Sequence, residues 1–315
     1  MAGLAMSIAF LCPGQGAQSP GFLHRLPDHP AIAATLDEAG GVLGRDVRDL
    51  DGEVALRSTV AVQLSVVIAG VATARALAAE GVVPDAVAGL SIGSFTAAVV
   101  AGALAFADAL PLVALRGRLM EQAYPAGYGL AVLVGLPQRR VEQIVAATGG
   151  AAAPLYLANL NGPAEFVLSG ADAALDRAIE TARQAGARRA ERLAVAVPSH
   201  CPLMDGPAAA LTAAVAAVPI AAPRRLYVGN RRARALRDAA AVREELATNL
   251  AHPVRWDDAT TLLAEHGATL FLELPPGDVL TRLAAATFPD RVARSGDGLS
   301  VAGARALAAR CSNAR

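Results

Sequence analysis

The segment Gly89-Leu90-Ser91-Ile92-Gly93 constrains the fold of this 315-residue chain most strongly, because it places a G-x-S-x-G pattern between a strand and a helix. The preceding residues 86–88 are typical of a short buried strand, and residues 95–100 of the start of a helix. Here the glycines allow a sharp turn that projects the Ser91 hydroxyl, and the Ile92 amide lies where free N–H groups stabilise an oxyanion. The pattern predicts an activated serine in an α/β fold, although an ordinary Gly/Ser loop also fits it.

Charge and composition exclude several classes of protein. Lys and Arg number 28, as do Asp and Glu, so there is no basic field for nucleic acid or an anionic membrane. The three cysteines, Cys12, Cys201 and Cys311, are too few and too scattered for a disulfide framework or a metal cluster. Residues 86–107 are uncharged but rich in Ala and Gly, and acidic residues flank them, which argues against a membrane span. We expect a cytoplasmic protein without nucleic acid, membrane or metal as a partner.

Apolar strands alternate with helical stretches, which is typical of an α/β protein with a mostly parallel sheet. Residues 127–197 have a different rhythm, with the order β-α-β-β-α-β of a ferredoxin-like unit. Pro125, Gly127 and Gly129 interrupt the pattern at the start of this unit. We therefore expect a large α/β domain in two parts, residues 1–126 and 198–315, and a small ferredoxin-like domain over residues 127–197.

The predicted elements have approximate bounds. In the large domain they are strands over residues 7–11, 86–88, 225–228 and 269–274, and helices over residues 60–80 and 106–123. In the small domain they are strands over residues 129–136, 155–160, 166–169 and 191–197, helices over residues 137–147 and 171–185, and a turn at Asn161-Gly162-Pro163.

A serine nucleophile needs a base, and the chain has five histidines. Only His200, within Pro198-Ser199-His200-Cys201-Pro202, stands on a proline-bracketed loop directly after a predicted strand, where the chain returns to the large domain. A capped surface histidine is the alternative interpretation. The aspartates between Ser91 and His200 fall at helix starts or in the small domain, so we expect a Ser–His dyad whose imidazole is held by a backbone carbonyl.

Arg116 is predicted to lie on the buried face of its helix, in the middle of an apolar stripe, whereas Arg118 points the other way. A buried guanidinium is costly unless an anion meets it, and its fork matches a carboxylate. Arg116 is therefore either half of an internal salt bridge or, if it faces Ser91, a selector of acyl groups with a free carboxylate. Gln63, alone in an apolar run, is either a buried hydrogen-bonding group or a pocket residue.

The segment Cys12-Pro13-Gly14-Gln15-Gly16-Ala17-Gln18 follows the first strand. It lacks the Gly-Lys-Ser/Thr of a phosphate-binding loop and the third glycine of a dinucleotide fingerprint. It is either a glycine turn without a further role or a loop that offers the Gln15 N–H as a second oxyanion donor, opposite that of Ile92.

Together these segments resemble malonyl-CoA:acyl carrier protein transacylases over nearly the whole chain. The residues that carry the resemblance are Pro13-Gly14-Gln15-Gly16, the G-x-S-x-G at Ser91, Arg116, Ser199-His200, Pro253-Val254-Arg255-Trp256 and Glu273-Leu274-Pro275-Pro276-Gly277. The resemblance implies that the large domain is α/β-hydrolase-like and that the ferredoxin-like domain is inserted into it.

The same resemblance implies roles for individual residues. They are Ser91 as nucleophile, His200 as base, Arg116 as clamp for the malonyl carboxylate, Gln15 and Ile92 as oxyanion hole, Gln63 in the pocket, and Asn249 as the residue whose backbone carbonyl orients the histidine. Malonyl-CoA would be the substrate, and no bound cofactor or metal would be needed.

Some residues depart from the common family pattern, which has His before the nucleophile, Glu-Tyr after the second glycine and Gln at the histidine-orienting position. This chain has Leu90, Ser94-Phe95 and Asn249 there. With residues 23–30, 120–124 and 158–161, these departures resemble the epsilon subunit of malonate decarboxylases.

That second resemblance implies particular partners. They are a carrier subunit with a prosthetic arm like coenzyme A, and other subunits of the decarboxylase. A fatty-acid or polyketide malonyl transacylase is the alternative within the class, and a serine thioesterase or hydrolase is the alternative outside it. A catalytically silent docking subunit is disfavoured, because Ser91, His200 and Arg116 are all present.

Overall fold

The computed structural model describes residues 8–313, which form two sheets covered by helices. The strands are β1 (Ile8–Cys12), β2 (Ala86–Gly89), β3 (Tyr128–Val134), β4 (Leu155–Gly162), β5 (Glu165–Ala171), β6 (Arg189–Arg192), β7 (Leu226–Val228), β8 (Ala235–Leu236), β9 (Val254–Arg255), β10 (Leu270–Glu273) and β11 (Val292–Ser295). The helices are α1 (Pro30–Leu43), α2 (Thr59–Ala79), α3 (Gly93–Val100), α4 (Phe106–Ala123), α5 (Gln138–Thr148), α6 (Asp172–Gln184), α7 (Asp205–Ala216), α8 (Ala239–Thr248), α9 (Trp256–Glu265), α10 (Val279–Thr287) and α11 (Val301–Asn313). Ser7, where the first strand was predicted to begin, lies outside the described residues.

The large sheet has the strand order β11-β10-β1-β2-β7-β8. Its first five strands are parallel, and β8 pairs antiparallel with β7. β1 is buried along its whole length, as expected for a central parallel strand covered on both faces. Because parallel strands end at the same edge, the loops that follow β1, β2 and β7 lie side by side, and ligand sites of open α/β sheets form there.

Helix α2 is the central helix of the large domain. It is apolar and long enough to cross a membrane by composition, but 89% of that stretch is buried inside the fold. Gly117 lets α4 lie close to it, since a Cβ there would be 2.7 Å from the Cα of Val60. The uncharged residues 86–107, considered above as a span, fold instead into β2, the Ser91 turn, the short helix α3, a connection and the first two residues of α4.

The small sheet has the order β6-β3-β5-β4-β9. Its first four strands are antiparallel, and with α5 and α6 they form the predicted ferredoxin-like unit. The fold prediction of a large α/β sheet with a ferredoxin-like unit is thus confirmed. β9 was not predicted: it comes from the part of the chain after residue 198 and pairs in parallel with β4, so the small sheet is completed from outside residues 127–197.

Two predicted boundaries in the small domain were wrong. The turn predicted at Asn161-Gly162-Pro163 is a two-residue turn at residues 163–164, because β4 continues to Gly162, which pairs with Glu165. The last strand, predicted over residues 191–197, is Arg189–Arg192. Val197 is apolar because it packs into the core of the large domain, and Leu193 and Val195 pack on a separate small cluster against β3 and β5.

Candidate active site

Ser91 lies on a sharp turn between β2 and α3, with its backbone in the left-handed region at φ 55°. For a residue with a side chain this conformation costs about 1–2 kcal/mol. Glycine is required on both sides of the turn, because a side chain at either position would overlap neighbouring backbone atoms. A Cβ on Gly89 would lie 2.1 Å from the Gly93 carbonyl carbon, and one on Gly93 would lie 2.2 Å from the Cys12 carbonyl oxygen. The chain therefore makes the turn that the G-x-S-x-G pattern predicts.

The Ser91 hydroxyl and the His200 imidazole form a hydrogen-bonded pair. His200 Nε2 lies 2.7 Å from Ser91 Oγ, and its Nδ1 lies 2.8 Å from the Asn249 carbonyl oxygen and 3.2 Å from that of His252. Because carbonyl oxygens only accept, Nδ1 carries the proton in the neutral ring. Nε2 is then the acceptor for the serine hydroxyl, which is the arrangement a general base requires.

The environment of His200 favours the neutral imidazole. Burial, and secondarily the positive charge of Arg116, lower the pKa of His200 from 6.5 to about 4, although the carbonyl groups of Asn249 and His252 act in the opposite direction. At neutral pH the ring is therefore uncharged and able to accept a proton.

Arg116 lies on α4 with its side chain fully buried, as the helical periodicity predicted. Its Nη2 is 3.1 Å from Ser91 Oγ and 3.5 Å from Asn249 Oδ1, while its Nε has no hydrogen-bond partner in the described part of the chain. Among residues 8–313 no carboxylate oxygen lies within 4.0 Å of the guanidinium, so it is not half of an internal salt bridge. Burial lowers the pKa of Arg116 to about 9, which leaves it charged at neutral pH.

Asn249 connects the members of the site. It follows α8, is fully buried, and accepts a hydrogen bond from the His200 Nδ1–H with its backbone carbonyl oxygen. Its side-chain Nδ2 donates to the Ser91 carbonyl oxygen at 3.3 Å. The structure thus brings four of the predicted residues into mutual contact: Ser91, His200, Arg116 and Asn249.

The two predicted oxyanion donors lie at the turn. Ile92 precedes the first residue of α3, and Gln15 follows Gly14, where a Cβ would lie 2.8 Å from the Leu90 side chain. Neither backbone N–H has a hydrogen-bond acceptor among residues 8–313. Both are therefore available to a bound oxyanion.

Gln63 lies beside the site and makes no hydrogen bond to the four residues above. It is buried on α2, and its Nε2 lies 3.4 Å from the Met120 sulfur, one turn beyond Arg116 on α4. Its Oε1 has no hydrogen-bond partner within residues 8–313. The structure places Gln63 against the helix that carries Arg116, without deciding between the two interpretations given above.

The described residues also form cavities away from the Ser91 turn. A cavity of about 470 Å³ lies between the small sheet and α9, and neither Ser91 nor His200 lines it. Within residues 8–313 no three His, Cys, Asp or Glu side chains are grouped to hold a metal ion. The available chemistry is concentrated at the Ser91 turn.

Sequence reasoning missed Asn230. It lies two residues after the end of β7, is 2% exposed, and accepts the Ser91 backbone N–H with Oδ1 at 2.9 Å. One signal was present, since a polar residue at the carboxyl end of a predicted parallel strand lies at the edge where the Ser91 turn also lies. Nothing in the local sequence relates it to Ser91, 139 residues earlier.

A serine on a strand–turn–helix, hydrogen-bonded to a neutral histidine in an α/β fold, is the arrangement typical of serine-dependent acyl-transferring enzymes. Residues 9–305 match the acyl transferase domain family, and the chain belongs to that family.

Named relatives share most of its length. It is 36% identical over 283 residues to the malonyl CoA-acyl carrier protein transacylase of Salmonella typhimurium, a match that covers 87% of this chain and 91% of the relative. The crystal structure of an acyl-carrier-protein S-malonyltransferase from Burkholderia pseudomallei superposes with a TM-score of 0.90 at 36% identity, covering 96% of this chain and all of that one. A malonyl-transacylase in complex with a type II polyketide acyl-carrier protein has a TM-score of 0.88 at 33% identity, covering 92% of this chain and 96% of that one.

Proposed function

We propose that this protein transfers a malonyl group from malonyl-CoA to the thiol of an acyl carrier protein through a malonyl-Ser91 intermediate. The observation that carries the proposal is the placement of Ser91 Oγ between His200 Nε2 at 2.7 Å and Arg116 Nη2 at 3.1 Å. A base and a buried cation, which has no carboxylate partner among residues 8–313, meet at one nucleophile. The names of the relatives, malonyl transacylases, describe the same reaction.

The first half-reaction follows from the hydrogen bonds of the site. His200 Nε2 takes the hydroxyl proton as Ser91 Oγ forms a bond to the thioester carbonyl carbon. The N–H groups of Ile92 and Gln15 hold the oxyanion of the tetrahedral intermediate. When that intermediate collapses, the C–S bond breaks, His200 donates the proton to the coenzyme A sulfur, and malonyl-Ser91 remains.

The second half-reaction is the reverse sequence with a new thiol. The carrier thiol gives its proton to His200, its sulfur attacks the ester carbonyl, and Ser91 Oγ leaves with the proton. Throughout, the Arg116 guanidinium pairs with the free malonyl carboxylate, which balances the positive charge that the fold buries at that position.

The experiment that tests this function is intact-mass measurement after incubation with malonyl-CoA. We expect a malonyl adduct on the wild-type protein, stable against water without acceptor and discharged rapidly by a carrier thiol, and no adduct on Ser91→Ala. Rapid hydrolysis without any carrier would instead identify a thioesterase. An adduct that persists in Ser91→Ala would overturn the assignment of the nucleophile.

For the acceptor we propose the carrier subunit of a malonate decarboxylase, in the cytosol and together with the other subunits of that enzyme. Support comes from the departures Leu90, Ser94-Phe95 and Asn249, all of which lie at or beside the Ser91 turn. A prosthetic arm that resembles coenzyme A would let one pocket serve donor and acceptor.

Competition between two malonyl acceptors tests this finer proposal. Equal concentrations of the decarboxylase carrier and a fatty-acid carrier with a phosphopantetheine arm are offered to malonyl-Ser91. We expect the decarboxylase carrier to be malonylated faster. Preference for the fatty-acid carrier would return the protein to the fatty-acid or polyketide transacylases.

A further inference from the structure

The Asn230 side chain holds the Ser91 turn from both sides. Its Oδ1 accepts the Ser91 N–H at 2.9 Å, and its Nδ2 donates to the Gly89 carbonyl oxygen at 2.6 Å and to Ser94 Oγ at 2.7 Å. These contacts fix the residue before Leu90 and the residue after it. One buried amide therefore determines the course of the backbone through the turn.

Asn230 is itself held by the large domain. Its backbone N–H donates to Glu245 Oε1 at 2.7 Å, and its carbonyl oxygen accepts from the Arg255 N–H at 3.0 Å. The preceding Gly229 is required here, since a Cβ would lie 2.7 Å from Glu245 Oε2. Glu245 is buried on α8, the helix that ends at Thr248, just before Asn249.

Helix α8 therefore supports both members of the dyad. Through Glu245 and Asn230 it reaches the Ser91 backbone, and through the Asn249 carbonyl it reaches His200 Nδ1. Movement of the turn relative to α8 would lengthen the 2.7 Å contact between Ser91 Oγ and His200 Nε2.

The bond to Asn230 also determines which amide serves the oxyanion. The Ser91 N–H is occupied by Asn230 Oδ1, whereas the Ile92 N–H has no acceptor among the described residues. The bonds to Gly89 and Ser91 also offset the cost of the left-handed serine, about 1–2 kcal/mol.

We propose that Asn230 is a positioning residue for the Ser91 nucleophile, which it holds in line with His200 while leaving the Ile92 N–H to the oxyanion. The inference rests on the proposed function, because it assigns Asn230 to the acylation of Ser91.

The test measures Ser91 acylation in Asn230→Ala and in Asn230→Asp, which keeps the size and the acceptor but loses the donated bonds. The single-turnover rate constant and the half-saturating malonyl-CoA concentration are determined at a temperature where circular dichroism shows folded protein. Thr260→Val is the matched control, since it removes a buried hydroxyl whose bonds, to the carbonyls of Trp256 and Asp257, lie within α9.

We expect the saturated rate constant to fall on the order of 10- to 100-fold in the Asn230 variants, with half-saturation within about twofold, because a misplacement near 1 Å has effects of this size. In a His200→Ala background the Asn230 effect should shrink, since the two residues act on the same alignment. Thr260→Val should acylate at the wild-type rate.

Any of three results would overturn the proposal: rate constants within about threefold of wild type in both folded variants, a change only in the half-saturating malonyl-CoA concentration, or full additivity with His200→Ala. Failure of both variants to fold would also overturn it, because the Asn230 amide would then be required for folding and not for positioning Ser91. The assays are repeated with p-nitrophenyl acetate, an activated ester without a malonyl group. If malonyl-CoA leaves the wild type unmodified, the proposed function fails, while the ester still tests Asn230.

Discussion

Replacement of Arg116 by methionine should separate the stability of the fold from its selectivity for malonyl groups. The guanidinium is fully buried without a carboxylate partner among the described residues. Burial lowers the pKa of Arg116 from the ordinary value of an arginine to about 9. At about 1.4 kcal/mol per pKa unit, keeping this charge inside the fold costs about 5 kcal/mol.

The variant removes that cost together with some favourable contacts. A hydrogen bond from a charged donor contributes about 1.5–3 kcal/mol, and the one given up here joins Nη2 to Ser91 Oγ. Methionine is unbranched and fills irregular apolar space. We therefore expect a Tm equal to the wild-type value or a few degrees above it, at about 2–4 °C per kcal/mol.

Selectivity should change in the opposite direction. Loss of the paired carboxylate should lower kcat/KM for malonyl-CoA on the order of 100-fold. Acetyl-CoA offers no carboxylate, and removal of the positive charge raises the pKa of His200, so acetyl transfer should be unchanged or faster. The assay compares acylation of Ser91 by the two thioesters, with calorimetry for Tm.

Arg118→Met is the matched control, because Arg118 is exposed on the same helix. It should change neither selectivity nor Tm. An equal loss for malonyl and acetyl groups in Arg116→Met would refute carboxylate recognition by Arg116. A Tm more than about 5 °C below wild type would refute the energetic argument, since it would mean that the guanidinium stabilises the fold.

Further predictions concern the dyad and pH. His200→Ala should slow acylation on the order of 10²- to 10⁴-fold in single-turnover assays, whereas His252→Ala and His24→Ala should have small effects; a large loss in either would reassign the base. The rate of wild-type acylation should decline only as the pH falls toward 4, because the pKa of His200 is about 4. In Arg116→Met the decline should begin at higher pH, because the positive charge that lowers this pKa is removed. A pH–rate profile of the wild type with an inflection near 6.5 would contradict this. Between pH 6.5 and 4 the unfolded chain binds more protons than the native state, because the pKa of His200 is lower in the native state. The contribution of His200 to the unfolding free energy is therefore complete above pH 6.5 and falls by about 3 kcal/mol on acidification to pH 4. In a series of denaturation measurements over this pH range, His200→Gln should show a smaller decrease of the unfolding free energy.

Much of the fold follows from local patterns. Helix α4 was predicted over residues 106–123 and has those bounds, because its apolar stripe has helical periodicity. The β-α-β-β-α-β order of the small domain was also predicted from the periodicity of its apolar residues. The errors there concern the ends of strands. Leu193 and Val195 are apolar because they pack on a face of the small sheet, and Val197 because it packs in the core of the large domain. A periodicity of two does not distinguish such contacts from those of a strand.

The burial of Arg116 was also predictable, since one helix face determines it. That it has no carboxylate partner in the described part of the chain was not predictable. An internal salt bridge and a free cation differ only in which side chains the other helices place against that face. The pairing of β9 with β4 was hidden as well, since two residues carry no periodic signal.

The sequence by itself determined the elements and the chemistry they carry: a serine on a turn between glycines, a histidine on a proline-bracketed loop, and an arginine on a buried face. Only the tertiary structure decided the distances, the protonation of His200 and the role of Asn230. Ser91 meets His200 across 109 residues of sequence and Asn230 across 139. Local patterns encode which groups are buried, whereas the alignment of a nucleophile depends on contacts between segments that only the folded chain brings together.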